Sequence, residues 1–68
     1  MSELIFEQLR VIDDNGVNVL DYVAVMRAAD NLEYRELSKW VVGRLVTEYV
    51  NDLVIPYREW LRQRVAVE

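Results

Sequence analysis

Apolar residues recur along this chain at intervals of three and four, the spacing that lines one face of an α-helix. In the first segment Ile5, Leu9 and Ile12 fall on one stripe, with Leu4 and Val11 at its edges. Ser2 stands ahead of the stripe as an N-cap candidate, and Glu3 puts negative charge where the helix dipole favours it. Asp13-Asp14-Asn15-Gly16 then closes the segment, because asparagine and glycine accept the left-handed backbone on which helices end. A second helix is expected from Asn18 as N-cap, with Asp21 in its first turn and Val19, Tyr22, Val23, Met26 and Ala29 on one face. The competing reading is a β-hairpin, since Asn15-Gly16 lies between the apolar runs 9–12 and 17–20.

The third segment carries the strongest pattern. Asp30 with Glu33 three residues later has the capping-box arrangement. Val41, Leu45, Tyr49 and Leu53 form one row, flanked by Val42, Val46 and Val50, together covering nearly half of a helix circumference. Arg44, Thr47, Glu48 and Asn51 take the opposite side with Gly43. This predicts one central helix over residues 32–54, about 35 Å long at the standard rise, with Leu45 in the core and costly to truncate. Pro56 is expected to end or kink it and to start a further helix. Tyr57, Trp60, Leu61, Arg64 and Val65 would face one way on that last helix. The fold class is therefore all-α, a small bundle of three to four helices with a long central helix, as a single domain over residues 1–68. The alternative is an N-terminal β-hairpin plus helices.

Composition adds a reason to expect self-association. The hydrophobic fraction is 53%, above the roughly 45–50% of an average globular chain. A domain of this size has a thin core, and with no cysteine there is no disulfide to reinforce it. An apolar arc too broad for one neighbouring helix then points to a partner, and a homodimer or higher homo-oligomer is the simplest one. The residues at the start of the sequence have no signal-peptide pattern, and no apolar run approaches a membrane span, so a cytoplasmic protein without a membrane partner is expected.

Net charge is −4 and unevenly spread. Residues 1–36 hold eight acids against three arginines, whereas residues 37–68 hold four acids against five cations. Acidity of this kind disfavours nucleic acid, which needs clustered cations. Catalysis lacks its usual groups: there is no histidine and no cysteine, and Ser2 and Ser38 have no histidine base. The chain is read as no enzyme, with no cofactor and no metal.

Residues 12–23, Ile-Asp-Asp-Asn-Gly-Val-Asn-Val-Leu-Asp-Tyr-Val, resemble the calcium loops of EF-hand and dockerin modules. There, spaced Asp and Asn oxygens precede a glycine and a further acid starts the exiting helix. The resemblance covers about a dozen residues and implies, as an alternative function, an ion-responsive module binding calcium through residues 13–21. In the full register Val11 stands at the first ligand position and Tyr22 at the bidentate acid. A capped turn between two helices accounts for the same residues.

The remaining chemistry is aromatic and arginine-rich. Seven of the eight cations are arginine, a residue enriched with aromatics at protein interfaces. Tyr49 falls inside the apolar arc and reads as core, whereas Trp40 lies off it near Arg44. Trp60 sits among Arg58, Arg62 and Arg64, as a lid on the core or as a binding surface. Trp40, Arg44, Tyr57, Arg58, Trp60 and Arg64 are the candidate protein-binding residues. The expected function is a small protein–protein interaction module, an adaptor, regulator or inhibitor of a larger protein that also self-associates.

Overall fold

The computed structural model describes residues 3–67, with side chains through Arg64. The chain is all-α, and no strand occurs among the described residues. Helix α1 spans Glu3–Asp14, α2 Tyr22–Asn31 and α3 Arg35–Val41. A fourth rod is continuous from residue 46 to 67: α4 (Val46–Tyr49), a π turn (Val50–Val54) and α5 (Ile55–Val67). The Ser2 cap lies outside the described residues.

Helix α1 buries Ile5, Phe6, Leu9 and Ile12, the stripe its spacing predicts plus Phe6. It ends in a Schellman motif. Gly16 (φ +90°) takes the left-handed position, its N–H donates to Asp13 O, and the Val17 N–H donates to Ile12 O. Asn15-Gly16 thus ends a helix and makes no hairpin. The Asx geometry that follows uses Asn18, whose Oδ1 accepts from the Leu20 N–H at 3.0 Å. The cap of α2 is Asp21 and not Asn18: its Oδ1 accepts from the Ala24 N–H at 3.1 Å. The buried side of α2 is Val25 and Ala29, with Tyr22 and Met26 half-buried, and Val23 turns outward.

The expected central helix is broken twice, and each break has a backbone cause. Helix α2 ends in a second Schellman motif, with the Glu33 N–H on Asp30 O and the Tyr34 N–H on Ala29 O. Glu33 occupies its left-handed position at φ +58°. That conformation costs a side-chain-bearing residue about 1–2 kcal/mol. Glu33→Gly is therefore expected to stabilise the fold by about 0.5–1 kcal/mol, after allowing for the greater freedom of glycine in the unfolded chain. A shifted urea midpoint at unchanged slope is the check. Asp30 and Glu33 thus form no capping box. Instead Asp30 accepts from the Ser38 hydroxyl at 2.8 Å and ties α2 to α3.

The second break lies between α3 and α4. Val42 (φ −63°, ψ 132°) and Gly43 (φ +84°) form the centre of a type II turn, closed by the Arg44 N–H on Val41 O. Leu45 then enters α4 with extended backbone, so it leaves the row that Val41 began. Val41, Tyr49 and Leu53 are buried, but Leu45 is 68% exposed, Val46 57% and Val42 56%. The assignment of Leu45 to the core is overturned by this turn. Glu48 steadies the new start, its Oε1 accepting from the Leu45 N–H at 3.2 Å.

Pro56 does not end the fourth rod. Its ring has no N–H and would strike the carbonyl four residues back in a regular α-helix. The π turn just before it, with the Ile55 N–H on Val50 O, widens the spiral where that clash would fall.

Long-range polar contacts join these elements. The Gln8 side chain accepts from the Leu37 N–H at 3.3 Å and caps α3 from α1. Three tyrosines do similar work: Tyr22 OH donates to Val41 O (2.8 Å), Tyr49 OH to Val19 O (2.6 Å) and Tyr57 OH to Asp13 Oδ2 (3.0 Å). Burial pushes the Tyr49 and Tyr57 hydroxyls well above their ordinary pKa, helped at Tyr57 by the bond to Asp13 and at Tyr49 by the charge of Asp21. Their proton is held more tightly in the folded chain than in the unfolded one. The resulting stability is complete below about pH 10 and is lost as pH rises beyond it. Alkaline titration should therefore show these two tyrosines ionising only as helical circular dichroism is lost.

Candidate protein-interaction surface

The two tryptophans are built alike. Trp40, in the last turn of α3, is half-buried against the core. The Arg44 guanidinium lies over its ring at 4.1 Å, and the Arg44 Nε donates to Trp40 O at 2.8 Å. Trp60, on α5, rests against Phe6 at 5.6 Å and stacks with Tyr57 at 6.1 Å. Arg64 lies over its outer face at 4.7 Å and reaches Glu3 (3.4 Å) and Glu7 (3.8 Å) on α1. In both cases an arginine four residues on covers the ring, a contact worth about 0.5–1 kcal/mol at exposed sites. Trp60 packs on the core through Phe6 and Tyr57 and stays half-buried.

The six residues expected to bind protein therefore divide. Trp40 with Arg44 and Trp60 with Arg64 are brought together as pairs, on different helices. Arg58 is exposed on α5. Tyr57 is fully buried, packed on Phe6 and bonded to Asp13, so it belongs to the core and not to a surface. Its position one turn before Trp60 gave the same helical face, but the centre of that face points inward.

The residues that resemble a calcium loop are also placed. Asp13 receives the Tyr57 hydroxyl, Asp14 pairs with Arg10 at 3.8 Å, Asn18 holds its own turn and Asp21 caps α2. Each oxygen set thus has a local structural partner, and among the described residues no three acids come together as a metal-holding group. No known family model matches this chain, and no curated protein or solved structure matches it either. The surface must be read from its own chemistry.

Two apolar features stand out, and of the apolar residues that form them only Trp60 is among the candidate binding residues of the sequence. The first is the α3–α4 connection, where Val42, Leu45 and Val46 project in close succession. Cations flank it, Lys39 exposed and Arg44 half-buried, and residues 39–46 contain no acid. The second is an open groove of about 460 Å³ between α1 and the start of α5. Phe6, Ile55, Pro56 and Trp60 form its apolar lining, with Glu59 and Gln63 as its polar members. Ile55 is 52% exposed there. No helix among the described residues is long and apolar enough to cross a membrane.

Proposed function

We propose that this chain is a helical protein–protein interaction module that associates with copies of itself and performs no catalysis of its own. The observation that carries the reading is the exposure of Val42, Leu45 and Val46 at 56, 68 and 57% on one short connection. The core does not need them: Leu9, Ile12, Val25, Leu37, Val41, Tyr49, Leu53 and Tyr57 are already fully buried without their help. Val42, Leu45 and Val46 are the three most exposed of the chain's large aliphatic side chains among the described residues and lie within five residues of one another, and exposed apolar patches mark interaction sites. The lack of histidine and cysteine, and the structural employment of the acids, support binding over chemistry.

Association of this kind makes stability depend on concentration. Light scattering coupled to size exclusion across the micromolar range should return a molar mass above that of one chain, rising with concentration. Melting temperature should rise in parallel. A single-chain mass throughout, with a constant melting temperature, would remove self-association from the proposal.

A further inference from the structure

We infer that Asn15 is a modification site, where the folded chain loses a side-chain amide and gains aspartate or isoaspartate, with water as the only co-reactant. The chemistry needs an asparagine with a free carboxamide, followed by a backbone nitrogen that no bulky side chain shields. Asn15-Gly16 is the one asparagine–glycine step of the sequence. The Gly16 nitrogen attacks the Asn15 side-chain carbonyl carbon, a C–N bond closes a succinimide ring, and ammonia leaves. Water then opens the ring at either of its two carbonyls. One opening gives aspartate. The other gives isoaspartate, whose backbone runs through the former side chain. Nothing is oxidised or reduced.

The structure leaves room for these steps. Asn15 is exposed, and its carboxamide makes no hydrogen bond among the described residues. Nothing lies within 4 Å of the place where a Gly16 side chain would stand. One restraint opposes the attack: the Gly16 N–H donates to Asp13 O at 3.0 Å. That bond closes the last turn of α1, and helix ends open at far lower free energy than a whole domain. The other asparagines lack this combination. Asn18 precedes the branched Val19, and its Oδ1 holds the Leu20 N–H. Asn31 ends α2 before Leu32, whose N–H donates to Ala28 O. Asn51 lies inside the π turn, followed by Asp52.

The product differs from its parent where α1 ends. Either form adds one negative charge to a chain of net charge −4. The charge falls at the C-terminal pole of α1, beside Asp13 and Asp14, where the helix dipole disfavours it. Isoaspartate also lengthens the backbone immediately before Gly16, inside the Schellman motif. Asp13 of the same turn receives the Tyr57 hydroxyl, so a loosened turn weakens the tie to α5.

The test is incubation of the folded wild type at mildly alkaline pH, beside the same chain unfolded in urea. Peptide mapping with isoaspartyl-methyltransferase labelling reads the outcome. The folded chain should gain aspartate and isoaspartate at position 15 and keep its amides at Asn18, Asn31 and Asn51. Ion exchange should resolve the product as a more acidic species that melts below its parent. Asn15→Gln, which can close only a larger and slower ring, should yield no such species. If the folded chain keeps its Asn15 amide while the urea-unfolded chain loses it, the inference is overturned. Loss at Asn18, Asn31 or Asn51 in the folded chain as fast as at Asn15 overturns it as well.

Discussion

Tyr49→Ala is expected to lower stability by about 3–5 kcal/mol, the range for deleting a buried aromatic ring. Tyr49 is fully buried, stands edge-on to Tyr22 at 5.3 Å and donates its hydroxyl to Val19 O at 2.6 Å. One side chain thereby joins α4, α2 and the turn before α2. Against the roughly 5–15 kcal/mol that holds a typical domain together, that loss removes a large share of the stability. Tyr49→Phe separates the two contributions. It keeps the ring and strands the Val19 carbonyl, at about 1–3 kcal/mol. Chemical denaturation of both variants decides. Equal stability of Tyr49→Phe and wild type would mean that the hydroxyl bond contributes nothing.

The second large contrast is between two leucines of the same apparent row. Leu53→Ala should cost about 2–5 kcal/mol because its side chain is wholly enclosed. Leu45→Ala should change the stability of the single chain by no more than about 0.5 kcal/mol, as surface substitutions do. Both are leucines eight residues apart on what reads as one helix. Denaturation at low protein concentration, where assembly makes no contribution, measures the difference. Comparable losses at both positions would restore the uninterrupted helix that the apolar spacing implies.

Why that helix was misread is instructive. The class of fold, the buried stripe of α1 and the end of α1 were legible because spacing and turn chemistry agree there: Gly16 sits where the backbone needs φ above zero. The α2–α3 junction was expected at Asp30, a few residues early, because its left-handed position holds Glu33, which carries no such signal. Gly43 did carry one, but the surrounding run of Val41, Val42, Leu45, Val46 and Tyr49 keeps helical spacing across it, and periodicity outweighed a single glycine. Pro56 stands in the first turn of α5, the place its chemistry suits, although the rod is not interrupted before it. A π turn lets the rod pass through a residue that ordinarily stops it.

The candidate surface was legible in the same partial way. Trp60 and Arg64 meet one helical turn apart on α5, whereas the type II turn at Val42-Gly43 folds Arg44 back over Trp40. Tyr57 has the same spacing logic but points to the centre of the bundle. Leu45 and its valine neighbours were hidden for a physical reason: an apolar residue at helical spacing is assigned to the core unless the chain turn that expels it is known. Only the type II turn at Val42-Gly43 converts these core-like residues into exposed ones.

The most direct test of interaction through that connection is the molar mass of wild type and Leu45→Glu, measured side by side by light scattering at matched micromolar concentrations. The wild type is expected to exceed the mass of one chain, and Leu45→Glu to fall to one chain while keeping its helical circular dichroism. A Leu45→Glu variant that folds and retains the wild-type mass would contradict the assignment of this connection as the interaction surface.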